Sequence, residues 1–242
     1  MRDILKGFAL AVSMLTTVPF FKVHDFYKGI NGYAVMFYPL VGFLLGLILW
    51  GIFSLLNPLV ASTHLGVIIF GVWILLTGAL HLDGFSDTVD GLYVAKERAL
   101  QVMKDSHVGG MGMIISGTFL IAKASSLAHF ELFYLLPLIL MLSRLNAVLA
   151  IYFYPYITPN GMGALAKEEL TKPQMLIAFF YSFLIVLAYN KLLLFVSALL
   201  VLFVIKSIFV KRYGGFSGDI YGFSIEVTEL ILLNLLLFGL RV

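Results

Sequence analysis

Residues 33–56 read Tyr-Ala-Val-Met-Phe-Tyr-Pro-Leu-Val-Gly-Phe-Leu-Leu-Gly-Leu-Ile-Leu-Trp-Gly-Ile-Phe-Ser-Leu-Leu, without one Asp, Glu, Lys or Arg. About 20 apolar residues in a helix cross the hydrocarbon core of a bilayer, whereas a helix at a soluble surface keeps one polar face. Stretches of the same kind recur near 62–81, 109–128, 132–154, 174–189, 191–210 and 220–240, which predicts about seven crossings. Residues 3–21 form another apolar stretch, with Pro19 near its end and cations on both flanks (Arg2 and Lys6, then Lys22 and Lys28). Cations at both ends put both ends on one side, so a re-entrant or interfacial helix is expected there rather than an eighth span. The fold class expected is all-α, a polytopic integral membrane bundle of about seven transmembrane helices plus the N-terminal helix. No polar block is long enough for a second unit, so residues 1–242 are read as one membrane-embedded domain.

Composition agrees: 61% of residues are hydrophobic and 12% charged, against about a quarter charged in soluble domains, and mean hydropathy is +1.03. No small-residue cleavage site follows Arg2 and Lys6, so the N-terminal stretch is expected to stay attached. The absence of cysteine removes disulfides, thiol catalysis and cysteine metal sites. The basic pI near 9.0 does not imply nucleic acid, because the cations are spread among the loops. One set of loops carries Arg2, Lys6, Lys22, Lys28, Lys96, Arg98, Lys104, Lys167, Lys172, Lys206, Lys211 and Arg212, and the alternate set only Lys191 and Arg241. The positive-inside rule therefore assigns the richer face to the cytoplasm. Lys123 and Arg144 fall inside predicted spans. Gly42 and Gly46, four residues apart, read as a close helix-packing face.

Three polar stretches stand at the ends of spans on that face. In His81-Leu82-Asp83-Gly84-Phe85-Ser86-Asp87-Thr88-Val89-Asp90-Gly91, the acids at 83, 87 and 90 share one helical stripe. Like charges so placed repel unless a cation lies between them, and hard oxygen donors suit Mg²⁺, Mn²⁺ or Ca²⁺. The structural alternative is a solvated helix end capped by Asp83 or Asp87. In Met103-Lys104-Asp105-Ser106-His107-Val108-Gly109-Gly110, Asp105 offers a fourth carboxylate, while Gly109, Gly110 and Gly112 either admit a phosphate to a helix start or serve tight packing. In Gly214-Gly215-Phe216-Ser217-Gly218-Asp219, followed by Glu226 and Glu229, two acids lie within a hydrophobic helix and are expected to face a polar cavity or a metal. Arg144 needs an anionic partner, either a carboxylate or a substrate phosphate. Lys123 is expected to snorkel towards the outer surface. The turn Tyr154-Pro155-Tyr156-Ile157-Thr158-Pro159-Asn160-Gly161 brings rings that cover a planar substrate or sit at the interface.

Together, and in this order, the motifs resemble the cobalamin synthase family of adenosylcobinamide-GDP ribazoletransferases. The likeness begins at Leu15-Thr16-Thr17-Val18-Pro19 and Phe37-Tyr38-Pro39-Leu40-Val41-Gly42. It continues through His81–Leu92, Met103–Gly110, Ser143-Arg144 and Gly161-Met162-Gly163-Ala164 to Gly214–Glu229. Thr17 and His107 stand where the family often has Arg.

The resemblance implies transfer of phosphocobinamide from adenosylcobinamide-GDP to the 3'-hydroxyl of α-ribazole or α-ribazole 5'-phosphate, with release of GMP. It also implies Mg²⁺ as cofactor, with Mn²⁺ as a substitute, at a cytoplasm-facing site in a prokaryotic inner membrane. On this reading Asp83, Asp87 and Asp105 are catalytic. His81, Lys104, Arg144, Ser217 and Asp219 bind substrate, and Asp83, Asp87, Asp90, Glu226 and Glu229 hold the metal. Partners are the two substrates and the lipid bilayer, with no nucleic acid, and small-residue faces permit a homo-oligomer. Two competing functions are a CDP-alcohol phosphotransferase of lipid synthesis and a cation-coupled transporter. The first is disfavoured because Asp83-Gly84 is not followed by Ala-Arg. The second is disfavoured because no repeat is visible and the acids lie at span ends rather than at the midplane.

Overall fold

The computed structural model describes residues 2–19, 27–105, 107–158 and 161–239, without the side chains of Arg2 and Met162. Lys22, Ser106, Pro159, Asn160 and Arg241, named above, lie outside the described residues. The helices are α1 (Arg2–Leu15), α2 (Ile30–Met36), α3 (Tyr38–Leu56), α4 (Ser62–Thr77), α5 (Leu80–Leu92), α6 (Lys96–Val102), α7 (Gly110–Ala128), α8 (Leu136–Phe153), α9 (Met162–Glu169), α10 (Lys172–Ala188), α11 (Leu192–Tyr213) and α12 (Gly218–Leu237). Among the described residues there is no strand, only an isolated bridge between Tyr156 and Phe216. Among the described residues, five helical segments are long and apolar enough to cross a membrane, and up to seven if the bent pairs α4–α5 and α9–α10 each count as one span. The chain is thus an all-helical membrane bundle. α1 has 14 residues, about 21 Å at the ~1.5 Å rise of a helix, too short to cross.

The bundle is built around α8. The apolar window that includes it is 94% buried, against 28% for α7 and 39% for α11. The latter two present Ile114, Ile121, Phe203, Val204 and Ile208 outwards, as a lipid-facing helix does. α3 lies along α8 at close range, because a side chain at Gly42 or Gly46 would collide with the backbone at Leu140 or Pro137. The packing role expected of these glycines holds.

Two of the breaks in the helices are each repaired by a residue distant in sequence. Between α2 and α3, Phe37 and Pro39 interrupt the helical hydrogen bonds. The Tyr181 hydroxyl donates to Met36 O (2.9 Å) and accepts from Leu40 N–H (3.1 Å). Between α4 and α5 the chain turns 88°, because Gly78 (φ 61°) and Ala79 (φ 56°) are both left-handed, a conformation that costs Ala energy. The last turn of α4 keeps its partners through Thr17, whose hydroxyl donates to Leu75 O (2.8 Å) and whose N–H donates to Leu76 O (2.8 Å). Satisfying freed backbone groups in this way is what lets a broken helix persist in lipid. Thr17→Val keeps the shape and removes the hydroxyl donor, leaving the Leu75 carbonyl with the Gly78 N–H alone (3.2 Å), and should cost about 1 kcal/mol of stability, read as a lower unfolding midpoint of the purified protein in detergent.

Candidate active site

α5 carries the aspartate stripe and is clamped along its length. At its C-terminal end, Arg212 Nη2 donates to the carbonyls of Leu92 (2.9 Å) and Val94 (3.0 Å), and the Tyr213 hydroxyl to that of Gly91 (2.8 Å). In its middle, the backbone at Gly84 lies against that of Asp219, leaving no room for a side chain. Phe85 packs on Phe119 and Phe223, fixing α5 to α7 and α12.

The stripe does not act as one unit. Asp90 is buried, and its carboxylate accepts the amides of Gly109 and Gly112 at 2.7 Å each, so it caps α7 from outside the helix. Both Asp90 oxygens thus accept amides at the positive end of a helix, which sets this acid apart from Asp83 and Asp87. The same bonds answer the question of the α7 glycines: an internal carboxylate fills the place a phosphate would take. Asp83 is exposed and Asp87 half-buried, and the carboxylates of Asp83, Asp219 and Asp90 all act electrostatically on Asp87. Among the described residues, none of Asp83, Asp87 and Asp219 makes an ion pair. Lys104 is close enough to act on Asp219.

Asp219 owes its place to two loops stitched side by side. Ile157 N–H donates to Phe216 O and Phe216 N–H to Pro155 O, each at 2.9 Å, and the Tyr156 ring packs closely against Gly161 and Gly163. Ser217 caps α12 by accepting from Ile220 N–H (3.2 Å) and sits 3.3 Å from an Asp219 oxygen. It is 1% exposed, and its place in the structure is to cap α12 and hold Asp219. Asp105 stands apart: its carboxylate is exposed and bonded to the ring (2.8 Å) and N–H (3.0 Å) of His107. Those bonds hold its carboxyl below the ordinary range, which makes it a poor proton acceptor.

Glu226 and Glu229 turn away from this mouth into the bundle. Lys123 Nζ lies 2.6 Å from an oxygen of each, Arg144 pairs with Glu229, and Ser143 donates to Glu229 at 3.2 Å. Lys123 also sits 4.2 Å from the centre of the Trp73 ring. Lys123 is 1% exposed, Arg144 0%, Glu226 4% and Glu229 0%. One expectation is therefore corrected, since Lys123 is buried and does not snorkel. The glutamates pair with cations of the protein, and Arg144 meets a carboxylate. The physical reason is shared, since two cations and two acids in a low-dielectric interior neutralise one another only at contact.

Between the mouth and this network lies a cavity of about 240 Å³, lined by Asp83, Asp219, Tyr38, Tyr221, His81, Ile225 and aliphatic residues of α1, α8 and α9. His81 occupies its inner wall, within electrostatic range of Arg144 and Lys123. Among the described residues, no three His, Asp or Glu side chains form a ready-made metal cage.

A family model described as Cobalamin-5-phosphate synthase matches residues 7–237 of the chain. The chain is similar to the adenosylcobinamide-GDP ribazoletransferase of Thermosynechococcus vestitus, at 39% identity over 83% of this chain and 84% of that one. It is likewise similar to the relatives of that name from Desulforamulus reducens (36% identity, 96% of each chain) and Clostridioides difficile (31% identity, 95% of this chain and 96% of that one). No solved structure matches it.

Lys123→Met leaves Glu226 and Glu229 with one cation between them, and should cost about 3 kcal/mol or more of stability. Adding Glu226→Gln should recover part of that loss. Thermal unfolding of the single and double variants in detergent measures both effects.

Proposed function

The chain belongs to the cobalamin-5-phosphate synthase family, and from that premise we propose that it is an adenosylcobinamide-GDP ribazoletransferase, joining adenosylcobinamide-GDP to α-ribazole or its 5'-phosphate and releasing GMP. The observation that carries the reading is the set of acids Asp83, Asp87 and Asp219, without ion-pair partners among the described residues, beside a cavity and with Lys104 near Asp219. In the reaction the ribazole 3'-oxygen forms a bond to the phosphorus that carries the cobinamide arm. The bond from that phosphorus to the bridging oxygen breaks, and GMP leaves with that oxygen. The proton of the 3'-hydroxyl passes to a carboxylate at the cavity mouth, where Asp83 and Asp219 both stand. Lys104 offsets charge on the diphosphate oxygens, and the rigid α5–α12 contact holds the acids in register with the attacking hydroxyl.

The donor set fits Mg²⁺. Hard carboxylate oxygens free of ion-pair partners are what the ion prefers, and Mg²⁺ sites for phosphoryl transfer use one or two carboxylates plus substrate phosphates, so a preformed cage of three is not required. Asp83, Asp87 and Asp219 would hold it. Bound there, the ion would neutralise charge developing on the diphosphate. The excess of lysine and arginine on loops at this end supports a cytoplasm-facing site in a prokaryotic inner membrane.

Purified protein in detergent should release GMP from adenosylcobinamide-GDP plus α-ribazole, lose that activity on chelation, and regain it with Mg²⁺. Asp83→Asn and Asp219→Asn should each lower kcat at least ~100-fold, in the range of a lost general base, while Asp105→Ala should stay within a few-fold of the parent. Near-parental rates in both Asn variants would remove these acids from the chemistry.

A further inference from the structure

The cavity behind Asp83 and Asp219 is more specific than an acidic cleft. At about 240 Å³ it lies below the ~300–1,000 Å³ of pockets that hold drug-sized ligands, so it admits a two-ring group and excludes a macrocycle. Its walls are the aliphatic chains of Leu15, Ile151 and Ile225 with the rings of Tyr38 and Tyr221. The Tyr221 ring is held in place by stacking on Phe216 (5.6 Å, 15°) and lies parallel to Tyr156 (6.1 Å, 19°). Two residues of this wall each carry a buried polar atom with no partner among the described residues, His81 Nδ1 and the Tyr221 hydroxyl, and the residues are 4% and 7% exposed. Buried polar atoms normally have partners, and two unspent ones on one cavity mark a ligand with few polar atoms of its own.

We propose that this cavity is the acceptor subsite, taking the apolar two-ring base of the ribazole nucleoside, with Tyr221 and His81 supplying its polar contacts. The inference rests on the ribazoletransferase reading. A benzimidazole linked to ribose through one ring nitrogen keeps a single free ring nitrogen on an otherwise hydrocarbon edge, which one of the two groups satisfies while the other meets a ribose hydroxyl. Guanine presents donors or acceptors on nearly every edge, and most would stay unpaired against Leu15, Ile151 and Ile225. With the base inside, the ribose lies towards Asp83 and Asp219, where its 3'-hydroxyl has to lose a proton.

Tyr221→Phe tests this cleanly, since the hydroxyl has no protein partner and its loss leaves the fold unchanged. The expected result is an unaltered unfolding midpoint and about a tenfold rise in KM for α-ribazole, with KM for adenosylcobinamide-GDP within twofold. Ala166→Leu, which narrows the cavity from α9, should raise the ribazole KM at least tenfold with the same selectivity. If Ala166→Leu does not fold, Tyr221→Phe alone decides. Unchanged ribazole KM, or equal rises for both substrates, would overturn the assignment. Equilibrium dialysis of labelled α-ribazole against parent and Tyr221→Phe protein separates this proposal from the transferase reading. Weaker retention by the variant supports the subsite even if no GMP is released, equal retention overturns it, and absence of GMP release by the parent counts against the reaction alone.

Discussion

Glu229 lies at the point where three helices meet: Lys123 reaches it from α7, and Arg144 and Ser143 from α8, while Glu229 itself belongs to α12. In an apolar interior an unpaired charge costs several kcal/mol, so these side chains leave the helices almost no freedom to slide or rotate. Everything nearer the mouth depends on that arrangement. α12 fixed at Glu226 and Glu229 fixes Asp219 two turns away, and α7 fixed at Lys123 fixes the amides of Gly109 and Gly112 that Asp90 holds. α5 is trapped between them. The charges that keep the bundle in register are thus separate from the charges available for chemistry, although both sets lie on the same helices.

The spans were legible because they depend on composition along a continuous stretch: the apolar runs near 109–128, 132–154 and 191–210 coincide with α7, α8 and α11 to within a few residues. Asp83, Asp87 and Asp219 were legible as acids at helix ends. What could not be read was pairing. Lys123 and Glu226 are 103 residues apart, Thr17 and Leu75 58 apart, and a single sequence carries no signal linking them. Asp90 shows the cost, since helical spacing put it on the stripe with Asp83 and Asp87 and tertiary packing then gave both of its oxygens to α7. One clue was present and unused. Lys123, Arg144, Glu226 and Glu229, the ionisable residues deep inside predicted spans, sum to zero charge, which is what mutual neutralisation requires.

Thr17 and Tyr181 share a role that motif reading does not find. Each supplies hydrogen bonds where a membrane helix is interrupted, and each interruption borders the cavity: Tyr38 follows one break, and Leu80 and His81 follow the other. The irregular backbone is what lets α3 and α5 turn their first residues towards a common space. The repair by a distant side chain is what makes that irregularity tolerable away from water.

The break at Gly78 and Ala79 also fixes a depth. α4 has 16 residues, about 24 Å of helix, whereas the hydrocarbon core is about 30 Å thick. Set upright with its start at one boundary of the core, α4 would end roughly 6 Å short of the other, and Leu80 and His81 of the cavity wall follow directly from that point.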